Sequence, residues 1–417
     1  VVEAFAARDP GIAARFNETM KKAVTAAQLG AAAEQLAVKG GGWKGAGEAR
    51  AEKRGALVSV TVRGDYERLA VDFLVSFDAA GKVAGFYITK MESTVPWALP
   101  PYAKAESYRE EPARVDAGGW PLPATLSLPR REGRLPALVL VHGSGPNDRD
   151  ETVGPNKVFG DLAAGLASRG IIVLRYEKRT KEYSARLVAE RVAIDADSET
   201  IDDAVAALGL LSRDPRVDRG RIFLAGHSQG GMLGPRIAEK ARAAGIPLAG
   251  LVLLAPNARP LEDLIVDQVR YLSLLDGKVA PEEEKAIADL RQAAARVKGL
   301  GPAAPAVAAA DLPLGIPESW WLSVAGYDPV ARARALGLPL LVIHGGRDYQ
   351  ATGIEAELWK KGLAGLAGAR CLVLPGLNHL LMKGSGPSSP AEYEGPGQHV
   401  DEGVVKEMAG FVDRTGR

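Results

Sequence analysis

Residues 221–230 read Arg-Ile-Phe-Leu-Ala-Gly-His-Ser-Gln-Gly: a short apolar run, then Ser228 set between Gly226 and Gly230. The run has the character of a buried strand, and the amphipathic stretch Gly231–Ala244 that follows has the character of a helix. An abrupt strand-to-helix turn exposes the side chain at its tip and crowds the backbone on either side. Only residues with little or no side chain fit at the flanking positions, which is what a nucleophile elbow at Ser228 needs. The pentapeptide also occurs by chance as a plain strand–Gly turn, so the rest of the chain must decide between the two.

Working outward, short apolar runs alternate with helical segments from Leu135 onward. The runs Ala137–Val141, Ile171–Tyr176, Ile222–Ala225, Leu251–Leu254, Leu340–Ile343 and Cys371–Leu374 are nearly continuous, as in strands buried on both faces of a parallel sheet. Helices are predicted between them at Val158–Arg169, Glu199–Ser212, Met232–Ala244 and Glu355–Leu366. This pattern predicts an α/β fold with a doubly wound, mostly parallel sheet. The connection from Leu254 to Leu340 is far longer than a helix with its roughly 2–6 flanking loop residues requires. Within it, Pro281-Glu-Glu-Glu284 opens a helix with acids at its positive end. Ile287, Leu290, Ala294 and Val297 share one face, and Gly299 ends it. An insertion at the carboxyl ends of the strands, about 258–335, is expected to form a lid.

The first 95 residues follow another pattern. Asp9-Pro10 and the capping box Thr25-Ala-Ala-Gln28 start helices within residues 2–38. Beyond Gly40-Gly-Gly42 the period becomes two: Val58, Val60 and Val62, then Leu69 to Phe77, then Val83–Thr89, with turns at Gly64-Asp65 and Asp78-Ala-Ala-Gly81. A small α+β domain is expected, its meander free of His and Cys. The proline-rich stretch 96–114 reads as a linker, and 115–417 as the catalytic domain, starting with an edge hairpin around Trp120–Leu128.

Composition narrows the function. Hydrophobic content of 47%, charged content of 25% and a net charge of +1 describe an ordinary globular protein, without the basic surface expected for nucleic acid. No apolar stretch approaches the roughly 20 residues that span a bilayer. The single Cys371, read as a buried thiol, excludes an internal disulfide and any CxxC site. No cofactor and no metal is expected. The chain starts at Val1 rather than Met, so an export signal removed ahead of it would imply a secreted or periplasmic protein, and otherwise a cytoplasmic one. Scarce Asn, five Met and plentiful Ala, Arg and Pro fit a heat-adapted protein, although a GC-rich genome leaves the same bias.

A serine hydroxyl needs a base, and the base needs an orienting acid. On such a sheet the chain order is serine, acid, histidine. Of the five histidines, at 142, 227, 344, 379 and 399, only His379 and His399 follow a suitable acid. Asp348 closes Ile343-His-Gly-Gly-Arg-Asp348 after one predicted strand, and His379 closes Pro375-Gly-Leu-Asn-His379 after the next. Both therefore fall at the same edge as Ser228 and are preferred. The competing histidine, His399, sits farther from any strand end. The competing acid, Asp328, lies in the insertion, and Asp348 itself could simply cap the segment after Ala351. An oxyanion requires two N–H donors. Gln229, after the serine, supplies one; the loop His142-Gly-Ser-Gly-Pro146 should supply the other, from Ser144 first and Gly143 next. That loop lacks both glycine-rich phosphate signatures. His142, His227, Trp320 and Trp321 are candidate substrate contacts.

The run His142-Gly-Ser-Gly-Pro-Asn-Asp-Arg-Asp-Glu-Thr152, with Gly154-Pro-Asn156, resembles the oxyanion-loop signature of bacterial α/β-hydrolase carboxylesterases of the EstD type. Arg175-Tyr-Glu-Lys-Arg179, Ala258-Arg-Pro-Leu-Glu-Asp263, Gly346-Arg-Asp-Tyr-Gln350 and Asn378-His379 resemble the same group in order, over about residues 115–415. The resemblance implies an α/β-hydrolase fold, a triad of Ser228, Asp348 and His379, and a small-molecule ester substrate; a short or medium acyl chain is expected because no broad, exposed lipid-binding surface can be read. The charged run Asp148–Glu151, with Arg175, Lys178 and Arg179, reads as a salt-bridged brace. The N-terminal region is similar to a small uncharacterised domain that precedes such hydrolases and implies no chemistry. A serine peptidase of the aminopeptidase or acyl-peptide type uses the same triad, and a non-catalytic binding protein could keep the same fold. Oligomeric state is not legible.

Overall fold

Alternation of apolar and polar residues builds the first sheet. A computed structural model describes residues 1–301 and 303–415, which divide into two compact units. The smaller comprises Val1–Ala98 with Val153–Asn156 and Tyr393–Gly397. Its antiparallel meander runs β1 Trp43–Arg54, β2 Leu57–Tyr66, β3 Leu69–Phe77 and β4 Val83–Ser93, in that spatial order. Val60 pairs with Val75 and Val62 with Phe73, which brings apolar residues of neighbouring strands side by side. Phe73 is fully buried and meets Phe5 edge-on at 5.6 Å, so the N-terminal helix Val2–Ala6 shares a core with the sheet. Thr25 and Gln28 form the reciprocal cap of the helix Ala26–Gly40, while Asp9-Pro10 starts a 3₁₀ helix over Pro10–Arg15. Strand β1 escapes the period-two reading because it is a charged, bulged edge strand whose side chains face water on most positions.

The larger unit comprises Leu99–Thr152, Lys157–Glu392 and Gln398–Arg417. Its sheet has eight strands: β5 Tyr108–Asp116, β6 Pro121–Pro129, β7 Leu135–Val141, β8 Ile172–Tyr176, β9 Val217–His227, β10 Gly250–Leu254, β11 Leu340–Gly345 and β12 Ala369–Leu374. The spatial order is β12-β11-β10-β9-β7-β8-β6-β5. The six strands from β12 to β8 in that order pair in parallel, whereas the β8–β6 and β6–β5 pairs are antiparallel, so β6 alone runs against the rest. The doubly wound expectation is met, and so is the small α+β unit ahead of it. Two expectations are corrected. The supposed linker 96–114 contains most of β5, which pairs with β6 as the edge of this sheet; its prolines and charges are those an edge strand tolerates. Strand β12 lies at the other edge, so Val373 is exposed and Cys371 only half-buried, where burial still raises the thiol to about 11.

Helices cover the sheet at Val158–Ala167, Asp202–Arg213, Gln229–Ala243 and Gly353–Gly362. Strand ends align at one level: Gly226 pairs with Val141, His227 with Leu254, and Gly345 with Leu374. The strand order reverses around β7, the kind of switch point at whose carboxyl ends open α/β sheets bind ligands. The long connection holds helices Leu261–Ser273, Pro281–Lys298, Glu318–Ser323 and Pro329–Leu336. Glu355, fully buried, fixes the start of this connection by accepting the N–H groups of Ala258 at 2.7 Å and Arg259 at 2.9 Å. No helix among the described residues is long and apolar enough to cross a membrane.

Candidate active site

Ser228 sits between the end of β9 and the helix Gln229–Ala243, with φ 51° and ψ −117°. That conformation is sterically costly for an L-residue, by about 1–3 kcal/mol, and must be imposed by its surroundings. The flanking glycines show how. A Cβ on Gly226 would lie 2.2 Å from the Gly230 carbonyl oxygen, and one on Gly230 would lie 2.3 Å from that of Val141. Neither position admits any side chain. The Ser228 N–H donates to Leu254 of β10 at 2.8 Å, and its carbonyl accepts from Met232 at 2.9 Å, which ties the turn to sheet and helix alike.

Asp348 and His379 follow β11 and β12 and meet, His379 Nδ1 lying 2.7 Å from Asp348 Oδ2. The second carboxylate oxygen of Asp348 accepts the N–H groups of Gln350 at 2.7 Å and Ala351 at 2.9 Å. Asp348 therefore braces its own turn with one oxygen and meets the histidine with the other, while the cap of the helix Gly353–Gly362 is Thr352 rather than Asp348. Asn378 shapes the next turn: its Oδ1 accepts from Leu380 and Met382, both at 3.1 Å. The competitors are engaged elsewhere. His399 Nδ1 faces the buried Asp161 at 3.1 Å, and Asp328 caps the helix Pro329–Leu336 through the N–H groups of Val330 and Ala331.

The loop after β7 reaches the serine. A Cβ on Gly143 would come 3.2 Å from Ser228 Cβ. Gly143 is nonetheless corrected as a donor, because its N–H already donates to Glu151 Oε1 at 2.6 Å. The N–H groups of Ser144 and Gln229 have no protein acceptor among the described residues, and Gln229 heads its helix, where such groups are free.

His142 and His227 are buried at 1% and 3% exposure, and each ring packs against protein groups. His142 packs on Phe159 and Tyr176, and burial lowers it to about 4. His227 Nε2 lies 3.0 Å from the carbonyl oxygen of His379, and its Nδ1 lies 3.0 Å from Glu151 Oε2. The second contact is oblique, an ion pair without an in-line hydrogen bond. Burial pulls His227 down, but the facing Glu151 charge and the His379 carbonyl prevail and raise it. Burial likewise opposes ionisation of Glu151, and His227 outweighs it, so Glu151 is lowered. Both shifts favour a charged pair.

Trp320 is buried with its indole N–H donating to Glu199 Oε2 at 3.0 Å. Trp321 lines a cavity of about 540 Å³ with Met232, Leu261, Val297, Leu300 and Val324. Met232 is one turn along the helix from Ser228, although Ser228 itself is not in that lining. Glu151 and Lys178, read from the sequence as parts of a brace, and Glu199, read only as a helix start, are buried beside these groups. A charged side chain carries no local sign that it will be buried. Among the described residues, no group of three His, Cys, Asp or Glu is placed to hold a metal ion.

A strained serine after a central parallel strand, with a histidine–aspartate pair at the next strand ends, defines a class, and residues 138–394 match the model described as the alpha/beta hydrolase family. The chain belongs to that family. Esterase EstD of Thermotoga maritima is 39% identical over 350 residues, 83% of this chain and 77% of the relative, which bears out the resemblance read from the motifs. Residues 1–86 match a family described as a protein of unknown function, DUF3887. Among solved structures, Est1E from Butyrivibrio proteoclasticus is similar over 73% of this chain and 99% of that one, at 16% identity and a TM-score of 0.45. An esterase of Pyrobaculum calidifontis is similar over 73% of this chain and 85% of that one, at 20% identity and a TM-score of 0.44.

Proposed function

We propose that this protein is a serine carboxylesterase. Ser228 Oγ attacks the ester carbonyl while His379 Nε2 takes its proton. Asp348 accepts the Nδ1 proton of His379, which fixes the tautomer with Nε2 as base and steadies the imidazolium once it forms. The Ser144 and Gln229 N–H groups hold the oxyanion. His379 then protonates the leaving alcohol, and water attacks the acyl-enzyme by the same route in reverse. The observation that carries this reading is the 2.7 Å contact of His379 with Asp348, at strand ends on the same edge of the sheet as a serine in an imposed conformation. Kinship with a protein named an esterase supports ester rather than amide substrates.

The helices across 258–335 act as a lid in this proposal, with the cavity beside Trp321 and Met232 as the acyl or alcohol pocket. Its volume, about 540 Å³, suits a short or medium chain, which would lie against Met232, Leu261, Val297, Leu300 and Val324 while Arg259, Glu262, Lys298 and Asp328 make the rest of the lining polar. The test is turnover of p-nitrophenyl acetate and butyrate beside an aminoacyl-p-nitroanilide. Ser228→Ala should lower ester turnover by at least about a thousandfold with the fold intact. Wild-type rates in that variant would overturn the mechanism, and faster anilide than ester turnover would overturn the substrate class.

A further inference from the structure

Lys178 is a buried ammonium with a conspicuous partner. Its side chain is 2% exposed, and its Nζ donates to the Gly143 carbonyl at 2.9 Å and lies 3.1 Å from Glu199 Oε1. The other Glu199 oxygen accepts the side-chain amide of Gln229 at 3.2 Å and the Trp320 indole at 3.0 Å. One buried ion pair therefore touches the oxyanion loop through lysine and the residue after the serine through glutamate. Burying such a pair stabilises little, because desolvation offsets most of the attraction. A role beyond stability fits that cost.

The Gly143 carbonyl and the Ser144 N–H belong to the same peptide group. In a trans peptide the two point in opposite directions, and no cis bond occurs among the described residues. Seating the carbonyl on Lys178 thus turns the Ser144 N–H away from it and fixes its direction. Asn147 Nδ2 adds a second donor to this carbonyl at 3.2 Å, and Glu151 holds the preceding N–H. A cation on the carbonyl also polarises the peptide and strengthens its N–H as a donor, since linked hydrogen bonds reinforce one another.

We infer that Lys178, braced by Glu199, is a positioning residue that aims and strengthens the Ser144 N–H of the oxyanion hole. The inference rests on the esterase reading above. Catalysis gains because a preoriented donor needs no reorganisation as negative charge develops.

The experiment compares Lys178→Met/Glu199→Gln, which leaves no stranded charge, with Lys178→Gln, which is neutral but can still donate to Gly143. Each full-length variant is checked for a wild-type melting curve, then assayed for kcat and KM on p-nitrophenyl butyrate. Binding of an alkyl trifluoromethyl ketone, whose serine adduct carries the oxyanion, is measured alongside. The double variant should lose about 10- to 100-fold in kcat, with KM changed less than about threefold and trifluoromethyl ketone affinity falling in parallel. Lys178→Gln, which restores a donor but not the charge, should recover part of both and stay measurably below the wild type. A folded double variant with wild-type kcat would overturn the inference, as would a kcat loss without weaker ketone binding. If the double variant fails to fold, Lys178→Gln decides: unchanged kcat and ketone affinity there overturn the inference, and a parallel loss in both supports it. Failure of the esterase reading looks different, because the wild-type protein would then hydrolyse no ester or Ser228→Ala would still do so.

Discussion

Ser228 keeps its left-handed backbone because Gly226 and Gly230 leave no room for any other path, their missing Cβ atoms already claimed by carbonyl oxygens. Histidines make the same point about surroundings, since chemically identical rings are driven apart. Burial holds His142 and His344 at about 4, whereas Glu151 raises His227. The unfolded chain protonates His142 and His344 near about 6.5. Below that pH it binds protons the folded state refuses, so stability falls as pH drops from about 6.5 to about 4. His227 acts with the opposite sign: its contribution is complete below about 6.5 and is lost as pH rises through its folded value. His142→Phe, an aromatic replacement beside Phe159 and Tyr176, should therefore lessen the loss in unfolding free energy between pH 7 and pH 5 by about 2 kcal/mol. Urea unfolding at the two pH values measures it, and an unchanged difference would refute the assignment. The meeting of Asp348 with His379 was legible, because both close a motif after a predicted strand. Ser144 could be ranked ahead of Gly143, but what occupies the Gly143 N–H was not legible, since it depends on Glu151, whose carboxylate folds back onto the loop it terminates.

At the level of elements, the strands were readable wherever both faces are buried, as in β7, β9, β10 and β11, because an unbroken apolar run is what such a strand requires. Edge strands were not. β1 is charged and bulged, and β5 is proline-bearing, so each carries the composition that guards an edge and masks a strand. The long connection between β10 and β11 was legible as an insertion by length alone, and the helix Pro281–Lys298 by its acidic start and its apolar face. Which tryptophan lines a cavity was not legible: Trp320 and Trp321 are neighbours in the chain, yet one bonds to Glu199 and the other borders the pocket. Trp321→Leu should enlarge that pocket and shift preference toward longer acyl chains. Relative kcat/KM across p-nitrophenyl esters from acetate to octanoate reads this out. An unchanged profile in a folded variant would remove the pocket from substrate binding.

Over the whole molecule, each unit has its own apolar core, that of the smaller one gathered around Phe5, Phe16, Leu36 and Phe73. None of the proposed catalytic groups lies in it. Phe73→Ala removes a fully buried ring and should destabilise that unit by about 3–5 kcal/mol. A calorimetric scan should show its transition lowered, while kcat on p-nitrophenyl butyrate at 25 °C stays as in the wild type. A matching drop in kcat at a temperature where the unit remains folded would assign it a part in catalysis. By itself the sequence determined the layer architecture and which strand ends carry Ser228, Asp348 and His379, because these follow from periodicity and chain order. Only the tertiary structure decided which buried charges face which peptide groups. Nothing in the chain marks Glu151, Lys178 and Glu199 as partners of the loop after β7 and of Gln229, and it takes the convergence of β7, β8 and β9 to bring them together.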